Sequence, residues 1–295
     1  MCQIAIEGKT DIGRRRDENE DAVSWNNGTH QGSFSYLMVA DGMGGYQGGA
    51  TASQTAVRIV SGHLASLQTT FSSYTPDQKT MVVKSELFQA VINANEAILD
   101  QKLQNPQLQQ MGTTLVVAVI WSGCLMVCHI GDSRAYIWDE RRGIRQLTKD
   151  HSVVQQMIDS GSLTEEQART SNIRNQLTRA LGVQRSLSPV INTWELTDDS
   201  LILLCSDGLT EYFSNHQIGH LLATHKPSLE SCYRFIDESN RQGGKDNISV
   251  VIGQYETSAA MHPTAMQPTT MQKRPESDAT VPKADKTVPY KVAKV

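Results

Sequence analysis

The stretch Val39-Ala40-Asp41-Gly42-Met43-Gly44-Gly45 ends an apolar run that begins at Phe34, and the rest of the chain can be organised around it. An acid at a strand end, followed by glycines that permit a tight turn, can present side-chain and backbone oxygens to one point. The same design recurs at 128–132, Cys-His-Ile-Gly-Asp, and at 203–208, Leu-Leu-Cys-Ser-Asp-Gly. We therefore expect three strand ends to meet around hard metal ions.

Composition bounds the class of protein. The chain has 295 residues, of which 39% are hydrophobic and 20% charged, so a packed core is expected in one large domain or two ordinary ones. A net charge of -4 gives no basic field for nucleic acid, and no such partner is expected. Residues 256–295 are rich in Thr, Pro, Met, Lys and Ala without periodicity, which predicts a disordered tail after a folded domain over 1–255.

Cysteine usage and the N-terminal sequence indicate the compartment. The five cysteines are odd in number and contain no CxxC pair, which favours free thiols in a reducing compartment over a disulfide framework or a zinc site. The N-terminal residues lack the basic-then-apolar order of a signal peptide, and no apolar run approaches the roughly 18 residues that span a bilayer. These observations predict a soluble, cytoplasmic protein with no membrane partner.

Hydrophobic periodicity predicts a mixture of strands and helices. Residues 3–8 predict an edge strand, and 52–67 and 83–98 predict two amphipathic helices. The charged stretch 139–146 predicts a turn, and the polar insertion at about 152–182 predicts a flap. Further strands are predicted at 22–25, 34–40, 115–121, 125–130, 135–138, 200–205 and 248–255, and further helices at 153–160, 209–213, 218–223 and 229–238.

Five acids lie in loops next to glycine or asparagine or in a charged segment: Asp21, Asp41, Asp132, Asp207 and Asp246. A single Asp-Gly pair is a common turn, but five such acids, three of them at the ends of apolar strands, are hard to explain as turns alone. Ligation by oxygen alone suits Mg²⁺ or Mn²⁺. Three arginines at 14–16 add an anion-binding group, and a metal-assisted phosphate site requires both kinds of group.

Together these motifs resemble those of PP2C-type (PPM family) metal-dependent protein serine/threonine phosphatases of the compact bacterial kind. The matches cover nearly all of 3–255 and leave out the tail, and their order and spacing are highly specific although each is short. In chain order they are Arg16-x-x-Asn19-Glu20-Asp21, Ala40-Asp41-Gly42-Met43-Gly44-Gly45, Gly112-Thr113-Thr114, Gly131-Asp132-Ser133-Arg134-Ala135, Leu147-Thr148-x-Asp150-His151-Ser152, Ser206-Asp207-Gly208-Leu209 and Asp246-Asn247.

The resemblance implies a fold and an activity. The fold would be α+β, a four-layer α/β/β/α sandwich of two mainly antiparallel sheets flanked by helices, with the metals at one end of the sheets. The activity of the catalytic domain over 1–255 would be hydrolysis of phosphoserine and phosphothreonine in proteins, by a hydroxide that a binuclear Mg²⁺ or Mn²⁺ centre activates. Phosphorylated proteins would be the partners of a monomer that opposes a serine/threonine kinase.

The resemblance also implies roles for individual residues. Asp41, Asp207 and Asp246 would be the catalytic carboxylates, with Asp41 bridging two metals, and Arg16 would bind the substrate phosphate. Asp132 would help to hold a third, weaker metal, and Asn247 would orient the loop of Asp246. The complete set of implied metal ligands is Glu20, Asp21, Asp41, Gly42 through its carbonyl, Asp132, Asp207 and Asp246.

One position departs from the family pattern. Many members carry histidine after the two glycines, in a Gly-Gly-His-x-x-Gly-Glu sequence, whereas this chain has Tyr46 in place of the histidine and Ala50 in place of the glutamate. The group that protonates the leaving oxygen is therefore open between a metal-bound water, Tyr46 and the surroundings of the substrate. We expect a lower rate on poor leaving groups.

Alternatives remain at this stage. A non-catalytic member that binds phosphoproteins would need a broken ligand set, and every ligand position is filled. A different metal enzyme, such as a nuclease or a small-molecule phosphatase, would prefer those substrates to phosphopeptides. In the tail, Thr280 and Thr287 each precede Val-Pro in similar contexts, which gives a hypothesis of phosphorylation by a partner kinase or of docking to a phosphothreonine reader.

Overall fold

A computed structural model describes residues 2–28, 33–45, 48–224 and 229–257. The strands within these residues are β1 Cys2–Asp11, β2 Asp21–Asn26, β3 Ser35–Met43, β4 Gly112–Thr113, β5 Leu115–Trp121, β6 Cys124–Ile130, β7 Arg134–Asp139, β8 Gly143–Gln146, β9 Val190–Glu195, β10 Ser200–Cys205 and β11 Ile248–Thr257. The helices are α1 Gly48–Thr70, α2 Pro76–Gln104, α3 Val153–Asp159, α4 Glu165–Arg169, α5 Asp207–Thr210, α6 Asn215–Thr224 and α7 Leu229–Arg241.

The strands form two sheets in which neighbouring strands run antiparallel. One sheet has the order β1-β11-β10-β7-β8, and the other has the order β2-β3-β5-β6-β9, with the short β4 paired to β3. Helices α1 and α2 cover the outer face of the second sheet, and α5, α6 and α7 cover the outer face of the first. The order of layers is therefore α/β/β/α, as the resemblance implied.

Strand β3 shows why its sequence is an unbroken apolar run. Leu37 and Val39 lie in a core between the two sheets, whereas Tyr36 and Met38 pack with α1 and α2 on the outer face. Because helices or the other sheet cover both faces, successive residues must all be apolar although their side chains alternate in direction. Strand β10 alternates in the same way between the inter-sheet core and the helices of its outer face.

Helix α2 begins seven residues before the apolar periodicity predicts. Thr75 caps it, because its side chain accepts a hydrogen bond from the backbone N–H of Gln78, and the Gln78 side chain accepts one from the backbone N–H of Thr75. Pro76 occupies the first helical turn, where its missing N–H has no intrahelical acceptor to lose. The start of α2 is therefore set by its capping residues, which hydrophobic periodicity does not reveal.

Several predicted elements need correction. The predicted turn at 139–146 contains β8, which pairs with β7. The helix predicted at 209–213 begins at Asp207 and ends at Thr210 as a single turn. Strand β9 was not predicted, because its residues are partly exposed and show no clear alternation of apolar and polar side chains; its pairing with β6 defines it as a strand. The edge strand predicted at 3–8 is confirmed, since β1 lies at the edge of its sheet.

The predicted flap contains α3 and α4. Ser152 at its start forms an isolated bridge with Leu177, and Leu181 near its end forms a bridge with Thr113 of β4. Among the described residues, no helix is both long and apolar enough to cross a membrane. The tail residues Thr280 and Thr287, and Tyr46 of the aspartate loop, lie outside the described residues.

Candidate metal centre

Strand parity directs the carboxylate of Asp41 toward the space between the sheets. Asp41 follows Leu37 and Val39 at two-residue steps, and both of those side chains lie in the inter-sheet core. The backbone of Asp41 is held by Thr114, whose Oγ1 lies 3.0 Å from the Asp41 N–H and whose own N–H donates to the Asp41 carbonyl at 2.9 Å. The acid thus stands at the end of the core on a fixed backbone.

Two serines from the side of the opposite sheet hydrogen-bond the carboxylate of Asp21. Asp21 faces Asp41 in the register of β2 and β3, and its Oδ2 accepts hydrogen bonds from Ser206 Oγ at 2.8 Å and Ser249 Oγ at 2.6 Å. Its Oδ1 is buried and has no hydrogen-bond partner among the described residues. A buried carboxylate oxygen without a donor is costly, and a cation or its water is the kind of group that would satisfy it.

The acids at this end of the sandwich raise one another's pKa values. Burial and the charges of Asp21, Asp207 and Asp132 raise the pKa of Asp41 well above its ordinary value. Burial and the charge of Asp246 raise the pKa of Asp207 to about 6, although a hydrogen bond with the Asp41 carboxyl opposes the rise. The charges of Arg16 and Arg134 oppose these rises only in part, so the chain itself leaves the acids short of counter-charge.

Asp132 and Glu20 lie at the margins of this cluster. Burial, followed by the charges of Asp207 and Asp150, raises the pKa of Asp132 well above its ordinary value. Burial also raises the pKa of Glu20, whose Oε1 accepts a hydrogen bond from the Gly49 N–H at 3.1 Å. Glu20 is thus occupied at one oxygen by the first turn of α1.

Gly42 lies where a larger residue would not fit. A Cβ at this position would collide with the backbone oxygens of Gly49 and Glu20, so the close approach of three backbone segments requires glycine. The Gly42 N–H donates to the Glu20 carbonyl at 3.2 Å. This packing fixes the backbone from which the Gly42 carbonyl projects.

Asn247 joins the loop of Asp246 to the first acidic segment. Its Oδ1 accepts a hydrogen bond from the Glu20 N–H at 2.8 Å, and its Nδ2 donates to the carbonyls of Ile12 and Glu18. On the other side of Asp246, Lys245 Nζ donates to Glu211 Oε1 at 2.9 Å. These contacts brace the Asp246 loop against the Glu20 segment and against the helical turn that starts at Asp207.

Arg16 contacts the acidic cluster directly. Its Nη2 lies 2.7 Å from Asp246 Oδ2, with 46% of the Arg16 side chain and 24% of the Asp246 side chain exposed. No other ion pair within the described segments reaches the cluster of Asp21, Asp41, Asp132, Asp207 and Asp246. The residue predicted to bind phosphate therefore pairs here with a predicted metal ligand.

The polar residues that orient these acids were not predicted from the sequence. Ser206 and Thr114 belong to the quoted motifs but received no role, and Ser249 was not singled out. The available signal was a serine inside the apolar strand Ile248-Ser249-Val250-Val251, since a buried hydroxyl in a strand needs a partner. Ser249 also lies 2.8 Å from Thr10 through its Oγ, which links β11 to β1.

The donor set fits divalent cations that prefer oxygen. The implied ligands offer carboxylates and one backbone carbonyl, with no thiolate or imidazole among them. Within the described residues, no group of three or more His, Cys, Asp or Glu side chains forms a ready-made metal cage. Mg²⁺ does not require such a cage, because it keeps several waters and uses few carboxylates. In the chain alone, acids of like charge also repel one another and stay apart.

Comparison with known proteins identifies the family. The family model described as Protein phosphatase 2C matches residues 12–248. The chain belongs to the protein phosphatase 2C family. The serine/threonine phosphatase stp of Listeria monocytogenes is 34% identical to it over 251 residues, which cover 83% of this chain and 94% of that protein.

Solved structures agree with this placement. The Mycobacterium tuberculosis serine/threonine phosphatase PstP/Ppp has a TM-score of 0.74 at 33% identity, over 86% of this chain and 100% of that chain. The catalytic domain of a PstP in complex with 2 manganese ions has a TM-score of 0.73 at 32% identity, over 87% and 100%. The predicted family, the layered α+β fold and the enzyme class of protein phosphatase are therefore confirmed.

Proposed function

We propose that this protein phosphatase 2C enzyme hydrolyses phosphoserine and phosphothreonine in proteins at the acidic end of its sandwich. The observation that carries the proposal is the cluster of five carboxylates that the chain leaves short of counter-charge, with raised pKa values at Asp41, Asp132 and Asp207. The names of the relatives, serine/threonine phosphatases stp and PstP, support the substrate class.

The chain would hold two divalent cations, Mn²⁺ or Mg²⁺, and a third more weakly. Asp41 would bridge the two, and the other ligands would be the Gly42 carbonyl, Asp207, Asp246 and, mainly through water, Asp21. The two manganese ions bound to the related PstP domain support this pair. When bound, such a pair supplies a water acidic enough to provide the nucleophile near neutral pH, and it offsets charge on the phosphoryl group. Glu20 would stand close by, held by Gly49.

The chain's own residues orient this chemistry. Ser206 and Ser249 hold one oxygen of Asp21, and its other oxygen, the buried Oδ1, would be left for a cation or its water. Thr114 holds the backbone of Asp41, and Asn247 holds the Asp246 loop. Preorganised carboxylates need no rearrangement during the reaction, and this is the main way in which a protein assists phosphoryl transfer.

Arg16 would bind the phosphoryl oxygens of the substrate. In the structure it pairs with Asp246, which is a metal ligand in the proposal. A cation that takes the Asp246 carboxylate would leave the guanidinium of Arg16 available at the mouth of the site. Its planar fork of donors suits two oxygens of one phosphate group.

A cleft beside the acids offers room for the peptide that carries the phosphate. It has a volume of about 410 Å³ and runs from Asp132 and Asp207 toward the flap, where Arg169 and Arg174 line it. We propose that residues next to the phosphorylated side chain lie in this cleft, so that the flap at about 152–182 influences the choice of substrate.

The physiological setting follows from the same proposal. The substrates would be phosphoproteins that include targets of a serine/threonine kinase in the same cytoplasm, and the enzyme would act as a monomer with no nucleic-acid partner. The described cysteines at 124, 128, 205 and 232 are free, which is usual in a reducing compartment. The division into a catalytic domain over 1–255 and a tail over 256–295 remains a prediction.

A phosphopeptide assay tests the function. Phosphate release should require Mn²⁺ or Mg²⁺ and stop with EDTA, and Asp41→Asn and Asp207→Asn should each lower the rate roughly 10³-fold or more, since metal ligation is worth several kcal/mol of transition-state stabilisation. Asp159→Asn is a matched control, because Asp159 forms an exposed ion pair on α3. Unchanged activity in Asp41→Asn and Asp207→Asn would sink the proposal.

The same assay separates the rival functions. A non-catalytic phosphoprotein binder would release no phosphate with Mn²⁺ present. A nuclease would act faster on a phosphodiester such as bis-p-nitrophenyl phosphate, and a small-molecule phosphatase faster on a free phosphomonoester, than on phosphothreonine peptides. We expect the phosphothreonine peptides to be the best substrates.

A further inference from the structure

Two histidines lie directly beside the Asp132 turn, and the proposed mechanism uses neither. The rings of His129 and His151 stack with centroids 4.8 Å apart and planes 8° from parallel. His151 grips Gly131 at both backbone atoms, since the His151 N–H donates to the Gly131 carbonyl at 2.9 Å and the Gly131 N–H donates to His151 Nδ1 at 3.1 Å.

The hydrogen bonds fix the protonation of both rings. Nδ1 of His151 can accept only when it carries no proton, so the proton of this neutral ring is on Nε2. Burial, with the neighbouring His129 and Arg179, lowers the pKa of His151 to about 4, in agreement with a neutral ring. His129 Nε2 lies 3.0 Å from the Lys149 carbonyl, which only accepts, so this nitrogen carries the proton of His129.

The turn that His151 grips has a demanding conformation. Gly131 has φ +101°, and a Cβ there would collide with Thr114. On its far side, Ser133 Oγ lies 2.7 Å from Thr114 Oγ1, and Thr114 holds the backbone of Asp41. The turn that carries Asp132 is therefore held between two supports, one leading to the proposed bridging acid and the other formed by His151.

His151 also belongs to the base of the flap. Its carbonyl accepts a hydrogen bond from the Thr178 N–H at 2.8 Å, and the next pair continues as Val153 N–H to the Gln176 carbonyl, also at 2.8 Å. His151 thus connects the two chain segments at the flap's base, 151–153 and 176–178, with the turn that carries Asp132. The flap and this turn therefore share one support, to which the resemblance assigned no role.

We propose that His151 is a positioning residue, which through Nδ1 fixes the Gly131–Asp132 turn and through its backbone couples that turn to the base of the flap. The inference rests on the proposed function, because Asp132 is taken as the ligand of the third, weaker cation. Partners that orient a metal ligand from outside the ligand shell commonly change metal affinity 10–100-fold when they are replaced.

Two substitutions separate the imidazole's hydrogen bond from its bulk. His151→Leu keeps a side chain of similar size but removes the acceptor, whereas His151→Asn places an amide oxygen near the position of Nδ1, where it can accept from Gly131. Asp132→Asn removes the proposed ligand itself. All variants are made in the full chain, and their melting temperatures confirm that they fold.

The first measurement needs neither metal nor activity. In metal-free protein labelled with ¹⁵N-glycine and ¹⁵N-threonine, NMR hydrogen exchange reports the amides of Gly131 and Thr178. We expect both to exchange at least tenfold faster in His151→Leu and to return toward the wild-type rates in His151→Asn. If Gly131 exchanges at the wild-type rate in His151→Leu, His151 does not position the turn. If exchange changes at Gly131 but not at Thr178, His151 does not couple the turn to the flap.

The second measurement is a Mn²⁺ titration in which electron paramagnetic resonance counts the free ion. We expect His151→Leu to weaken only the weakest class of bound Mn²⁺, by roughly 10–100-fold, and high Mn²⁺ to restore kcat on a phosphothreonine peptide, whereas His151→Asn stays near wild type. If Asp132→Asn leaves all classes unchanged, the third site of the proposed function is wrong. If Asp132→Asn loses the weak class but His151→Leu keeps it, the inference about His151 alone fails.

Discussion

Arg134 and Asp150 form a charged region whose charges the chain balances itself, whereas the acids around Asp41 lack such balance. Arg134 donates from Nε and Nη2 to both oxygens of Asp150, at distances of 2.7–3.1 Å. Although burial opposes it, contact with Tyr136 and Asp150 raises the pKa of Arg134 well above its ordinary value. Around Asp41, in contrast, burial and the charges of other acids raise the pKa of the carboxyl, and among the described residues no cation of the chain opposes them there.

The difference separates a structural ion pair from a site built for an external cation. A balanced pair is stable in the chain alone, and removal of one partner leaves a costly charge behind. An unbalanced cluster destabilises the chain until a cation binds, and removal of one acid should relieve it. The two regions should therefore respond with opposite signs to the same change of aspartate to asparagine.

The largest change in stability is expected at the balanced pair. Asp150→Asn leaves Arg134 without its anion, with only 23% of the Arg134 side chain and 10% of the Asp150 side chain exposed. The free energy of unfolding should fall by about 3 kcal/mol, which lowers Tm by roughly 6–12 °C. Urea unfolding in EDTA measures it. The matched control is Asp159→Asn at the exposed pair with Lys149, where Tm should hardly change; equal effects at both sites would contradict the comparison.

The unbalanced cluster should make the metal-free protein less stable as pH rises. Burial and neighbouring acids raise the pKa of Asp21 to about 7 and that of Asp207 to about 6 in the folded chain. In the unfolded chain these acids ionise near pH 4, so between pH 4 and 7 the folded state binds more protons and loses stability with rising pH. These two shifts amount to about 4 kcal/mol between pH 5 and 8, and the lowered pKa of His151 offsets about half of this, so the free energy of unfolding in EDTA should drop on the order of 2 kcal/mol.

The buried histidines change the stability with pH in the direction opposite to the acids. A variant and a metal separate the contribution of the acids from that of the histidines. Asp21→Asn should flatten the pH dependence of the unfolding midpoint, because the histidines are common to both proteins. Mn²⁺ should raise the Tm of the wild type more at pH 8 than at pH 5, since ligands must lose their protons to bind a metal. The same slope in Asp21→Asn and wild type would rule out this acid as its source.

Asp207→Asn should stabilise the metal-free protein while it abolishes activity. It removes one negative charge next to Asp41 and Asp246 and keeps the shape of the side chain. At pH 8 in EDTA the free energy of unfolding should rise by about 1 kcal/mol, and the gain in Tm that Mn²⁺ gives the wild type should shrink. A lower stability than wild type in EDTA would show that Asp207 is balanced by a group in the chain.

The positions of the acids could be predicted from the sequence because each follows a pattern with a physical cause. An unbroken apolar run ends at Asp41 and at Ser206-Asp207, and such runs occur where both faces of a strand are covered. The repeated pattern led us to expect that the strand ends meet, but the sandwich and the place of the acids at one end of it came from the resemblance, because periodicity does not say which strands are neighbours.

The supports of these acids could not be predicted in the same way. Ser249 reaches Asp21 from a strand 228 residues away in sequence, and His151 reaches Gly131 only because the flap's base returns to β6. Strand β9 was missed because its residues alternate little and its identity depends on pairing with β6. Long-range hydrogen bonds and edge pairing depend on the assembled fold, and a single sequence carries no local signal for them.

The smallest effect on stability is expected at Arg16, whose role differs most clearly from that of Arg134. Arg134 is committed to Asp150, whereas Arg16 is half-exposed and pairs with an acid that a cation would take. Arg16→Ala should therefore lower the free energy of unfolding by less than about 1 kcal/mol in EDTA, and by nothing measurable in Mn²⁺. On a phosphothreonine peptide, kcat/KM should fall roughly tenfold or more, mainly through KM, with partial recovery in Arg16→Lys. If kcat/KM stays at the wild-type value while stability in EDTA falls, Arg16 serves only as the counter-ion of Asp246, and the two arginines have the same role.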